Sequence, residues 1–136
     1  MSDNDIFTKQ NVSFNEYYIQ RIVYDQHCVN VPKVISYDSL TKTMKMRKVP
    51  QMSIADMYGD NKKDTPSELY DKIRVILIQL REIGINYPDI TPYNFIECGD
   101  LVWIIDFGDA SIRKHDTDPF MLKFIQGYNG WNDDYR

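Results

Sequence analysis

The feature that most constrains this 136-residue chain is the spacing of three oxygen-bearing residues, Asp89, Asn94 and Asp106, just after a long helical pattern. Asp89 and Asn94 lie five apart in Asp89-Ile-Thr-Pro-Tyr-Asn94, and Asp106 follows twelve later, opening Asp106-Phe-Gly108. Between them Phe95-Ile-Glu97 and Leu101-Val-Trp-Ile-Ile105 flank Cys98-Gly-Asp100, a pattern that predicts a β-hairpin. A hairpin there folds the chain back and sets Asn94 and Asp106 side by side. Just before this run, Leu69, Ile73, Ile76, Leu77, Leu80 and Ile83 recur at helical spacing. This predicts a helix from about Pro66 to Ile83. Thr65 is the expected N-cap, Pro66 the first helical residue, Glu68 the partner in a capping box and Gly84 the stop.

The remaining elements are shorter. Ser13-Phe-Asn-Glu16 is a second capping box, predicting a helix that fades near Asp25 with Phe14, Tyr18, Ile22 and Val23 as its inner face. Val31–Asp38 and Thr43–Val49 read as two strands around a turn, and Pro50 ends the second. Ser53–Tyr58 reads as a short helix, 59–64 as a polar loop, and Asp118–Ile125 as a last helix that precedes Gly127 and Gly130. Trp131, Tyr128 and Tyr135 form an aromatic tail, either core cover or a docking patch.

Composition sets the class. The length fits one domain, and 43% hydrophobic with 26% charged residues is the balance of a globular protein with its own core. No run approaches the roughly 18 apolar residues a spanning helix needs, so no membrane association is expected. A net charge of −4 gives no basis for nucleic-acid binding. Cys28 and Cys98 lie far apart without metal spacing, which fits a reducing, cytoplasmic setting. His27 and His115 also lack partners at metal spacing and read as surface residues.

Phosphoryl transfer needs a carboxylate that orients the acceptor hydroxyl, and oxygen ligands that hold Mg²⁺ against nucleotide phosphates. Asp89 suits the first task, and Asn94 with Asp106 the second. Tyr87-Pro-Asp-Ile-Thr-Pro-Tyr-Asn94 resembles the His-Arg-Asp-x-x-x-x-Asn catalytic loop of the protein kinase superfamily, and Asp106-Phe-Gly108 resembles its magnesium motif. The resemblance covers about residues 6 to 110 and is strongest from 66 to 110. It implies an α+β, reduced protein-kinase-like fold. About 6–50 would be a residual small lobe of helix plus strands, and 51–136 a minimal helical large lobe carrying the catalytic-loop hairpin. The helix from Ser13 would be the regulatory helix, and Val49-Pro-Gln-Met52 the hinge where adenine docks. Lys9 and Glu16 would be the phosphate-binding pair; alternatively Glu16 caps its own helix and Lys9 is solvated.

The resemblance has gaps. No glycine precedes Gly59, so no glycine-rich phosphate loop exists in this sequence. Tyr87 stands for the usual histidine, Pro88 for the arginine that reads activation-loop phosphorylation, and Thr91 for a lysine. Asp109 follows the motif glycine and reads as solvated, the alternative being an aid to a metal. No Ala-Pro-Glu motif follows Gly108. The pattern resembles small kinase-like proteins of large DNA viruses and bacterial effector kinases. Tyr93-Asn94 resembles RIO kinases, and Ile105–Ala110 resembles the aminoglycoside and choline phosphotransferases. Three functions stay open: a pseudokinase or weak ATP- and Mg²⁺-dependent phosphotransferase acting with a protein partner, a non-catalytic structural protein, and a small-molecule phosphotransferase.

Overall fold

Ile6–Lys9 (β1), Val34–Asp38 (β2) and Thr43–Arg47 (β3) pair antiparallel in the order β1-β3-β2. Side chains alternate along β3, so Met44 and Met46 are buried while Lys45 and Arg47 face out. The two methionines and Val12 make a small core on one face of the sheet. Lys9 of β1 lies opposite Met44 in register. The two expected strands are thus present as β2 and β3, and Ile6–Lys9 adds a third strand to the sheet. The structure, a computed structural model, describes residues 5–113 and 116–135. His115 and the first four residues lie outside that range.

Phe14–Gln26 (α1) begins as expected, with Ser13 Oγ accepting the Glu16 N–H at 3.1 Å. It ends at His27, an exposed residue in the left-handed conformation with φ 54°. The inner face differs from the one expected. Phe14 and Tyr18 are 61% and 46% exposed, whereas Glu16, Ile19, Gln20 and Val23 are buried. That set also has helical spacing, rotated around the axis, and it wins because both polar members find partners. Gln20 donates to the Pro32 carbonyl at 2.9 Å, and Glu16 accepts from Lys9. The Glu16 side chain therefore does not complete a capping box.

Ile54–Tyr58 (α2) has Ser53 as its cap, as expected. Ser67–Glu82 (α3) buries Leu69, Tyr70, Ile73, Ile76, Leu77 and Leu80. Its start is one residue later than expected, because Pro66 stays extended (ψ 141°) and is itself the cap residue. Thr65 makes no cap; its Oγ1 is buried without a hydrogen-bond partner. Gly84, at φ 81°, turns the chain out of the helix as expected.

Against α3 pack the hairpin of Phe95–Cys98 (β5) and Leu101–Ile104 (β6), the short pair Ile85–Asn86 (β4) with Ser111–Ile112 (β7), and Pro119–Ile125 (α4). Gly99, at φ 61°, makes the hairpin turn. α4 buries Met121 and Phe124. Trp131 is core, 3% exposed with its ring 5.0 Å from that of Tyr70, while Tyr135 stays at the surface. α1 contributes Ile19 and Val23 to this large core, so the helix joins the sheet side of the molecule to the hairpin side.

Candidate functional site

The sheet and α1 on one side and the hairpin on the other enclose a cleft of about 470 Å³. Phe7, Met46, Val49, Ile96 and Ile105 give it apolar walls, and Lys9, Glu16, Asn94 and Asp106 line its polar end. Residues ninety-seven positions apart meet there: Lys9 Nζ lies 2.5 Å from Glu16 Oε2 and 3.2 Å from Asp106 Oδ1. Of the two readings of Lys9 and Glu16, the structure has the ion pair. Burial lowers the affinity of the Lys9 amine for its proton. The Glu16 hydrogen bond and the Asp106 charge outweigh that, holding its pKa above the ordinary lysine value.

Two hairpin ends present the other groups. Asn94 precedes β5, and its Nδ2 donates to the Asp89 carbonyl at 3.0 Å, leaving the amide oxygen as the atom available to the cleft. The Ile105 N–H bonds to the Asn94 carbonyl at 2.9 Å, closing the base of the hairpin and bringing Asp106 alongside. Asp106 has φ 64°, a left-handed conformation costly for a residue with a Cβ. Its Oδ1 accepts the Gly108 N–H at 3.1 Å, a local bond that helps hold the turn. A side chain at Gly108 would sit 3.2 Å from that oxygen and 3.4 Å from Glu16 Oε1.

Asp89 is nearly buried, and its carboxyl is raised to about 6. Burial is the main cause; a hydrogen bond from Asn94 opposes it, and the charges of Asp106 and Asp109 add to it. Asp109 is exposed, as expected, yet close enough to act on Asp89. Asp89, Asn94 and Asp106 therefore share one electrostatic neighbourhood, although only the latter two line the cleft wall.

Two supporting residues were not legible as such. Tyr87 is fully buried, and its hydroxyl reaches the carbonyls of Ile105 (2.7 Å) and Asp106 (2.8 Å). Burial and the charges of Asp89 and Asp106 push its pKa well above the usual tyrosine value, so it stays a donor. Asn15 donates to the Ala110 carbonyl at 3.0 Å and pins α1 to the chain beyond Gly108. The sequence places Tyr87 where the catalytic loop has its histidine, but it does not give the partners of either residue, which are distant in the chain.

Among the described residues no three of His, Cys, Asp and Glu gather as a metal cluster. One carboxylate and one amide oxygen beside a cation are instead the sparse donor set that suits Mg²⁺, which takes its other ligands from phosphates and water. The residues present fit that ion on a nucleotide better than an all-protein metal cage.

This architecture is a protein-kinase-like fold, reduced in extent. It is similar to the Rio2 kinase of Chaetomium thermophilum, solved as an ADP/Mg²⁺-phosphoaspartate complex, with TM-score 0.64 and 16% identity over 84% of this chain and 35% of that one. It is also similar to the kinase PK-1 of the Cydia pomonella granulovirus, with TM-score 0.58 and 13% identity over 79% of this chain and 43% of that one. The chain thus spans less than half the length of either. No protein-family model and no curated protein matches the sequence.

Proposed function

We propose that the chain is a reduced phosphotransferase that uses a nucleoside triphosphate with Mg²⁺ and works with a protein partner. The observation that carries this reading is the linked Lys9–Glu16–Asp106 group at the polar end of the cleft, with Asn94 beside it. Lys9 would hold phosphate oxygens, and Glu16 orients the lysine. Asn94 and Asp106 would hold the metal ion, whose chemistry is to neutralise phosphate charge. Asp89 would orient the acceptor hydroxyl and take its proton, for which a carboxyl at about 6 is well matched. The apolar walls at Val49, Met46 and Ile96 would receive the base. That the Rio2 kinase structure contains ADP and Mg²⁺ supports the choice of ligand.

A second reading is favoured by the absence of any glycine before Gly59, which leaves the sequence without a glycine-rich phosphate loop. On that reading the chain binds nucleotide weakly, turns none over, and acts through its partner as a pseudokinase. Thermal melts with millimolar ATP, with and without Mg²⁺, test the shared nucleotide step; no metal-dependent stabilisation refutes both readings. Transfer of labelled phosphate, compared with Asp106→Ala, separates them. Label that depends on Asp106 supports the phosphotransferase, and metal-dependent binding without any label supports the pseudokinase.

A further inference from the structure

The residue bonded to the chain on both sides of Asp89 is Asn132, forty-three positions further on. Its Nδ2 donates to the Pro88 carbonyl at 2.7 Å, and its backbone N–H donates to the Ile90 carbonyl at 2.8 Å. Its own oxygens are also used: Oδ1 accepts the Asp134 N–H at 3.2 Å, and its carbonyl accepts the Tyr135 N–H at 3.1 Å. Asn132 is 5% exposed, so these bonds are shielded from water.

Their effect on Asp89 follows from backbone geometry. The direction of a side chain is set by the peptide planes on either side of its Cα. The plane before Asp89 carries the Pro88 carbonyl, which Asn132 Nδ2 and the Ile90 N–H hold at 2.7 and 2.8 Å. The plane after it carries the Asp89 carbonyl, which the Asn94 side chain and the Thr91 N–H hold at 3.0 and 3.1 Å. The next carbonyl, of Ile90, is again held by Asn132. Three consecutive carbonyls are thereby fixed, the first and third from the 131–135 segment.

That segment is itself anchored to α3. Trp131 packs against Tyr70, and Arg74 donates to the Tyr128 carbonyl at 3.2 Å and to Asn129 Oδ1 at 2.5 Å. Gly130 permits the close approach, since a Cβ there would lie 2.7 Å from the Tyr128 ring.

We infer that Asn132 is a positioning residue for Asp89, and that the 131–135 segment is a working part of the catalytic loop. The inference rests on the phosphotransferase reading for its consequence, but not for its test. Asn132→Ala removes the donor to Pro88 without adding charge; Asn132→Asp keeps the shape and the acceptor for Asp134 but turns a carboxylate oxygen toward the Pro88 carbonyl, so it loosens the loop through repulsion as well as through the lost bond. Native-state hydrogen exchange is read at the Thr91 and Asn94 amides, both bonded inside the loop. The expected result is roughly tenfold faster exchange at these amides in both variants, with the α3 amides unchanged. In the full chain with its nucleotide, kcat should fall about tenfold or more while the nucleotide KM stays within about twofold, because Lys9, Asn94 and Asp106 are untouched. Loop amides that exchange as in the wild type, or that accelerate only together with α3, overturn the positioning role. A wild-type protein with no turnover refutes the phosphotransferase reading alone, and the exchange result still decides the role of Asn132.

Discussion

A carboxyl group held near neutrality by its surroundings leaves a mark on stability as well as on chemistry, and Asp89 carries both. Its folded value of about 6 lies above the ordinary 3.8. Between those two values the folded protein holds a proton that the unfolded chain has released. The stabilisation is complete below about pH 4 and is lost as the pH rises through about 6. The shift corresponds to about 2–3 kcal/mol at 1.36 kcal/mol per unit. Asp89→Asn removes the charge and keeps the shape. Urea unfolding should find it more stable than the wild type at pH 7.5, by up to about 3 kcal/mol, with the difference vanishing at pH 4. An equal difference at both values would mean that the carboxyl is not raised. Tyr87 makes a second case at the same scale. Its single hydroxyl proton is shared between the part-buried Ile105 and Asp106 carbonyls, so Tyr87→Phe takes that donor from both. The expected loss is about 1–3 kcal/mol in the same assay, and metal-dependent nucleotide stabilisation should weaken as Asp106 loosens. Unchanged stability would show that the two carbonyls do not need the phenol.

At the scale of elements, Lys9 and Glu16 join β1 to α1, and Asp106 joins that pair to the hairpin. Glu16 is 4% exposed, so Lys9→Met strands a buried carboxylate, while Lys9 itself keeps some contact with water. The expected loss is about 1–3 kcal/mol, lower than for a fully buried pair because of that partial screening. Adding Glu16→Gln should restore at least half of it, as the charge no longer needs a partner. A double variant no better than Lys9→Met, judged by its urea midpoint, would show that the loss came from packing. The same pair explains what could be read in advance. The hairpin, α2 and the stop at Gly84 were legible because their signals are local: turn residues, caps and alternation. The inner face of α1 was not, because periodicity alone prefers Phe14 and Tyr18 to Glu16 and Gln20. Only the presence of Lys9 and of the Pro32 carbonyl makes the polar face the buried one. The first turn of α3 failed for a different reason. Thr65 and Glu68 have the spacing of a cap, but an extended Pro66 takes the cap position and buries the threonine instead. Asp89, Asn94 and Asp106 were legible as a set because a hairpin between them leaves little choice of arrangement. Asn132 was not, since its bonds to 88 and 90 depend on how α3, α4 and the 131–135 segment come together.

Across the whole molecule the described residues form two buried clusters of very unequal size. Three residues, Val12, Met44 and Met46, make up the one under the sheet, against twenty-one in the other. Hydrophobic stabilisation grows with the apolar area buried, so the sheet should open more readily than the hairpin side. α1 links the two, with Ile19 and Val23 in the large cluster, while Lys9 pairs β1 with α1 through Glu16 and crosses the cleft to Asp106. Opening of the sheet therefore breaks those ion pairs without exposing the core around α3. Met44→Ala tests this arrangement, because Met44 is fully buried and belongs to the small cluster alone. Hydrogen exchange should show the β1, β2 and β3 amides losing about 2–3 kcal/mol of protection, with α3, β5 and β6 close to wild type. If bound nucleotide is gripped from both sides of the cleft, adding it with Mg²⁺ should restore part of the sheet's protection, since only the closed form brings Lys9 to Asp106. A loss of protection spread equally over α3 and the sheet would instead mean that the two sides unfold as one unit, and the cleft would then have no opening motion of its own for a ligand to arrest.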